Sequence, residues 1–391
     1  MFDLVIDNAR LYPMAGGAGR APARSLAVSD GRIAGFDLPG PARLRVDAGD
    51  RLVLPGFIDC HTHAVYAGDR MHERERRRAG ASYAEIAAAG GGILSTMRAV
   101  RAATLEQLCS ASRPRLEALA REGVTTVEVK SGYGLDLDSE LKMLEAVARL
   151  RQDVGVDLIG TCLAAHAVPP EMTRAAYVDF IVDILLPAVH AHGLARAVDA
   201  YIEHIAFDLN DAQRVFEAAQ RLGFVIHAHC EQLSLMGASE LAARLGARSV
   251  SHLEHLDARG VESLARHGTI AVLLPGAFYC LNETRRPPIA ALRNARVPMA
   301  VATDLNPGTS PVASLLTAMH MAATLFGLTT DEVLLGVTAH AARALGLEDR
   351  GRLEAGLRAD FTLWDLAEPA MLTYQLGGLA PSAVYVEGKR L

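Results

Sequence analysis

Between residues 57 and 304 short, strongly apolar runs alternate with stretches of helical periodicity. Eight runs read as strands: Phe57–His61, Val124–Lys130, Val156–His166, Val198–Ile205, Phe224–Cys230, Arg248–Leu253, Thr269–Leu274 and Val297–Asp304. Strands this apolar are buried on both faces, so helices must cover them. Ser139–Arg151 places Leu141, Leu144, Val147 and Leu150 three residues apart, one stripe of a helix. Asn210–Leu222 starts on an Asn/Asp cap and stops at Gly223. Thr329 and Glu332 have capping-box spacing for one helix through Val333, Val337, Ala341 and Leu345, stopping at Gly346. Eight such units in residues 55–345 predict an α/β fold, a (β/α)8 barrel. An open doubly wound sheet is the alternative.

The two ends have a different texture. Asp3–Asp7, Ser25–Ser29 and Arg43–Asp47 carry short apolar–polar alternation between Gly/Pro turns, as do Phe361–Trp364 and Ala383–Val386. Residues 1–54 and 346–391 are therefore expected to combine into one small β-sandwich. Gly16-Gly17-Ala18-Gly19 is a loop, because no phosphate-binding motif accompanies it.

Composition narrows the function. Lys plus Arg number 39 against 45 Asp plus Glu, a formal charge of −6, and the longest basic run is Arg76-Arg77-Arg78. That balance argues against a nucleic-acid partner. No stretch approaches the ~18 uncharged apolar residues of a membrane span. Asp3 and Asp7 stand where a signal peptide needs positive charge. Five scattered cysteines without a C-x-x-C fit free thiols in a reducing compartment, so a cytoplasmic location is expected.

The fourteen histidines carry the chemistry. In such barrels reactive groups gather at the C-terminal ends of strands. The first strand closes on His61-Thr62-His63, and residues i and i+2 of a strand face one side. The fifth ends on His229, the sixth on His252 and the eighth on Asp304. Imidazole and carboxylate are zinc- and iron-type ligands, and a set short of saturation leaves a position for water. His227 shares the parity of His229 and competes with it on spacing alone.

Pro55-Gly56-Phe57-Ile58-Asp59-x-His61-x-His63, followed by strand-end His, His and Asp, resembles the amidohydrolase superfamily. Glu128–Gly134, Ala165–Glu171, His229–Leu233 and Ala302–Pro311 extend the likeness to the branch that opens the ring amide of imidazolonepropionate in histidine degradation. The resemblance implies one metal ion, zinc or iron, held by His61, His63, His229 and Asp304. The superfamily's bridging Lys has no counterpart in Asp199–Glu203, which implies a mononuclear site. By the same resemblance Asp304, His252 and Glu231 handle protons or charge. Arg70, Tyr133, His166, Gln232, Asn306, Gly308 and Thr309 then contact a small anionic substrate, and a homodimer is expected. Glu231 and Gln232 are adjacent, and spacing leaves open which one faces the pocket. The branch usually carries Asp at position 251 and Ala at 230, where this chain has Ser251 and Cys230. A cyclic-amidine deaminase and a catalytically dead binding barrel are the competing expectations.

Overall fold

The computed structural model describes every residue except 82–84 and 87–89. The chain opens with six strands: β1 (Phe2–Asp7), β2 (Arg10–Leu11), β3 (Leu26–Ser29), β4 (Arg32–Phe36), β5 (Ala42–Asp47) and β6 (Leu52–Pro55). Eight more follow: β7 (Phe57–Asp59), β8 (Val124–Lys130), β9 (Asp157–Ala165), β10 (Ala197–Ile202), β11 (Val225–Cys230), β12 (Ser249–His252), β13 (Ile270–Leu273) and β14 (Met299–Val301). Three close the chain: β15 (Phe361–Trp364), β16 (Ala383–Val386) and β17 (Lys389–Arg390).

Strands β7 to β14 pair in sequence order as one parallel eight-stranded sheet. Its two edges meet beyond the strand ends. The Asp304 amide donates to the His61 carbonyl (3.0 Å) and the His63 amide to the Leu305 carbonyl (2.9 Å). These bonds complete the ring of the (β/α)8 barrel at the rim where the histidines sit. Nothing binds the edges of an open doubly wound sheet this way.

The flanking strands form two sheets, ordered β4-β3-β1-β5 and β17-β16-β15-β6-β2. Leu4, Ile6, Leu26, Val28, Val53, Phe361 and Tyr385 form the apolar core they share. Strand β15 runs antiparallel to β6, pairing Thr362 with Leu54, so the two ends of the chain meet in one sheet. Trp364 stacks on Phe57 (5.6 Å), which fastens that sheet to the barrel floor, and its indole N–H donates to Thr362 Oγ1 on its own strand (2.8 Å).

The helix expected through Leu345 is in fact two, Thr330–Gly336 and Ala339–Ala344. The capping box forms at Thr329 as its spacing implies. The break at Thr338 (φ −133°, ψ −98°) frees the Val337 carbonyl for the Ile58 amide (2.8 Å), so β7 takes a bond that a continuous helix would keep. The helical run Arg174–His192 is 19 residues long, with mean hydropathy 1.3, enough to cross a membrane by length and composition. It also carries Arg174, Asp179 and Asp183, and buries Tyr177, Ile181, Leu185 and Val189 in the layer around the barrel.

Candidate metal centre and substrate pocket

His61 and His63 leave β7 in extended chain. The Thr62 hydroxyl between them donates to the Glu128 carbonyl (2.6 Å), which turns both imidazoles to the opposite side. His229 joins them from β11, and each of the three offers a ligand atom within 4.8 Å of the others. Asp304 Oδ1 lies 3.5 Å from His61 Nε2 and 3.4 Å from His63 Nε2. Two ligands about 2.1 Å from one tetrahedral ion stand about 3.4 Å apart. Among the described residues, His61 Nε2 and His229 Nε2 are buried without a hydrogen-bond partner. Burial pushes the His61 and His63 pKa values well below the ordinary range, so both rings offer lone pairs. Buried acceptors left unpaired are costly, and a cation resolves all of them together. The residues fit a single metal ion.

The ligand rings are held from behind. His229 Nδ1 donates to Asp199 Oδ1 (3.0 Å), so its Nε2 is the free nitrogen. The other Asp199 oxygen lies 2.9 Å from Lys130 Nζ, and Lys130 reaches Glu128 Oε1 at 2.8 Å. Burial pushes the Lys130 pKa down, but Asp199 and Glu128 outweigh it and hold the ammonium charged. Ser251 Oγ stands 2.9 Å from His61 Nδ1 and does for His61 what Asp199 does for His229. Lys130 is thus spent on an ion-pair bridge. Asp59 accepts from both the Thr303 amide (3.1 Å) and hydroxyl (2.6 Å), and fixes the turn that delivers Asp304.

Backbone strain concentrates here. Glu231, His252, Leu253 and Asp304 all have left-handed φ, at 51°, 80°, 77° and 52°. Each costs about 1–3 kcal/mol and persists because the surroundings over-determine it. The conformation turns each chain away from its strand and aims His252 and Asp304 into the mouth. Burial lowers the His252 pKa to about 3, so this ring is neutral beside the histidine cluster.

The centre opens into a cavity of about 670 Å³. His63, Arg70, Tyr133, His166, His229, Gln232, His252, Asp304, Asn306 and Thr309 all line it. His166 stacks on His63 (5.2 Å, 22°), and its Nδ1 donates to the Gly132 carbonyl (3.0 Å), which leaves Nε2 free. Tyr133 lies against both rings, at 5.7 and 5.2 Å. Its loop is pinned by Glu140, whose carboxylate accepts from the amides of Gly132, Gly134 and Leu135. Arg70 is 6% exposed, and among the described residues its Nε and Nη1 have no hydrogen-bond partner.

The family model for amidohydrolases matches residues 52–391. The imidazolonepropionase of Erwinia tasmaniensis is 55% identical over 351 residues, 89% of this chain and 87% of that protein. That of Paracoccus denitrificans is 52% identical over 384 residues, 95% and 96% of the two chains. The chain belongs to the amidohydrolase family, in its imidazolonepropionase branch. Among solved structures, a 5-methylcytosine deaminase from Klebsiella pneumoniae shares the fold at TM-score 0.76 and 19% identity, covering 99% of this chain and 97% of that one. An adenosine deaminase from Xanthomonas campestris with bound zinc does so at TM-score 0.72 and 20% identity, covering 100% and 92%.

One expectation is corrected in this amidohydrolase, and Asn306 and Gly308 are engaged within the protein. Glu231, expected to move protons, turns away from the cavity. Its carboxylate accepts from the amides of Ala238 (2.7 Å) and Ser239 (3.0 Å), and it is Gln232 that lines the pocket. Asn306 lines the pocket, but its Oδ1 is spent on the amides of Gly308 (2.9 Å) and Thr309 (2.7 Å) and its Nδ2 donates to the Asp304 carbonyl (2.7 Å). It organises the loop beside Asp304. The Gly308 carbonyl accepts from Arg77 (3.0 Å). An added Cβ there would fall inside the Arg70 guanidinium, so Gly308 makes room for Arg70.

Residue-by-residue reading missed Asp199 and Tyr201, which line up behind and beside His229. The signal was available: they are i and i+2 on one strand, the same parity that singles out His61 and His63. The competing His227 is tied to Ser249 Oγ (2.9 Å) below the cluster.

Proposed function

We propose that this amidohydrolase hydrolyses the ring amide of 4-imidazolone-5-propanoate to N-formimidoyl-L-glutamate, a step of histidine degradation. It does so with one divalent metal ion, zinc or iron, in the cytoplasm, as a homodimer. The observation that carries the substrate is Arg70. It is a buried guanidinium, and among the described residues no carboxylate lies within ion-pair distance of it. A buried charge without a partner is costly, and an incoming carboxylate relieves it with bidentate geometry. The relatives' activity supplies the ring to which that carboxylate is attached.

A metal ion held by His61, His63, His229 and Asp304 would lower the pKa of its water toward about 7 and polarise the ring carbonyl. The chain's own groups do the rest. Arg70 and Tyr133 hold the propionate, and His166 orients the ring. Asp304 takes a proton from the attacking water and delivers it to the ring nitrogen as the carbonyl C–N bond breaks. The water oxygen remains in the new carboxylate. His252, neutral and at the rim, steadies the developing negative charge on the carbonyl oxygen with a hydrogen bond.

The test is turnover of freshly generated imidazolonepropionate by the metal-loaded protein and by Arg70→Ala. In the variant KM should rise far more than kcat falls. Ammonia release from a neutral pyrimidine, with no turnover of imidazolonepropionate, would overturn the reading.

A further inference from the structure

Helix α1 (Met71–Arg78) buries none of its residues, so packing does not explain its sequence. Arg70, its N-cap, lies deepest in the pocket, and Arg74, Arg77 and Arg78 line the same cavity. These positions are i, i+4, i+7 and i+8, one face of a helix. At 1.5 Å per residue the row spans about 12 Å from the buried end to the rim. Among the described residues neither Arg74 nor Arg77 has a carboxylate within ion-pair distance, and the partner of Arg78 is the exposed Glu75 (3.0 Å). Arg77 is anchored by its bond to the Gly308 carbonyl, which places it on the loop that seats Arg70.

The bland account is that arginines in a last helical turn complement the helix dipole. It covers Arg77 and Arg78. It fails for Arg70, a cation at the helix N-terminus, and for Arg74, which repeats a like charge at i+4 from both Arg70 and Arg78, a disfavoured spacing. Across the cavity the lining carboxylates are Glu283 and Asp304. Four arginines against two carboxylates make this wall cationic on a chain whose net charge is −6.

We propose that Arg74, Arg77 and Arg78 form an outer anion subsite that captures a carboxylate-bearing substrate and passes it inward to Arg70. The identity of the anion rests on the reaction proposed above; the subsite itself does not. A cleft lined by one sign of charge raises the association rate of an oppositely charged ligand, and salt screens the gain away. The row also serves the exit. Hydrolysis turns a monocarboxylate into a dicarboxylate, and arginines that run from buried Arg70 through half-buried Arg74 and Arg77 to exposed Arg78 offer it a graded path to solvent.

The test uses the metal-loaded enzyme and the double variant Arg74→Gln/Arg78→Gln, with Arg70 and Arg77 intact. For wild type, kcat/KM should fall steeply with added KCl. The variant should start about tenfold lower at low salt, within the range electrostatic steering supplies, and converge on wild type at high salt. Its kcat should change less than its kcat/KM. Equal salt slopes for the two proteins, or a fall confined to kcat, would overturn the subsite. Calorimetric titration with inorganic sulfate separates this inference from the proposed reaction. If sulfate binds wild type and binding is weakened in the variant, the subsite stands even where imidazolonepropionate is not turned over. If imidazolonepropionate is turned over but sulfate binds both alike or neither, the subsite falls and the reaction stands.

Discussion

Asp199 shows how much of the site lies behind the ligands. It is fully buried, and its two oxygens join His229 Nδ1 to Lys130 Nζ at 3.0 and 2.9 Å. The carboxylate fixes the tautomer and angle of the ring, and the ammonium fixes the carboxylate. Asp199→Asn keeps the volume and one acceptor but removes the charge that Lys130 pairs with. Second partners of metal-bound histidines are worth about 10–100-fold in metal affinity, and a loss in that range is expected here. Competition with a chromophoric chelator measures it directly; unchanged affinity would mean that the ring is held by packing alone. Ser251, where the branch usually has Asp, is a neutral partner for His61 at 2.9 Å. The strand-end histidines were legible because their parity is written in the sequence. Their partners come from β8, β10 and β12, so nothing local announces them.

At the scale of elements, the strand pattern was readable because burial on both faces leaves long apolar runs, and β8 runs from Val124 to Lys130 as its hydrophobicity implies. What could not be read was competition between elements for a backbone group, as where β7 takes the Val337 carbonyl and breaks a helix. Glu231 is the same lesson at a helix start. The helix Ala238–Arg244 has Gly237 at its N-cap, with no side-chain cap of its own. Glu231 supplies one from seven residues upstream, to the Ala238 amide. Spacing could not reveal this, since the loop between them must fold back first. Glu231→Ala should therefore lose about 1–2 kcal/mol of stability, the worth of a lost cap, with metal content retained. Glu231→Gln keeps an acceptor and should recover most of it. Thermal melts of the three proteins decide the matter. A collapse of kcat in Glu231→Gln at unchanged melting temperature would restore the proton-transfer role.

At the scale of the molecule, the metal centre and the closure of the barrel are one feature. The bonds between the chain after β7 and the chain after β14 run from His61 and His63 to Asp304 and Leu305. The proposed ligands therefore sit on both sides of the seam, with His229 across from it. Composition and periodicity specify eight strands, but not that the ring is completed by the residues that carry the chemistry. A metal ion would tie β7, β11 and β14 together at the rim and satisfy nitrogens that otherwise lie buried without partners. It binds the folded chain only, because the unfolded chain has no such cluster, and it stabilises by mass action, about 4 kcal/mol at a thousandfold excess over Kd. Stripping the protein with a chelator should lower its melting temperature by several degrees, and adding back zinc or iron should restore it. The loss should exceed that caused by Asp199→Asn, which leaves all four ligands in place. Chelation that leaves the melting temperature unchanged would separate the two roles, with the seam then held by its backbone bonds alone.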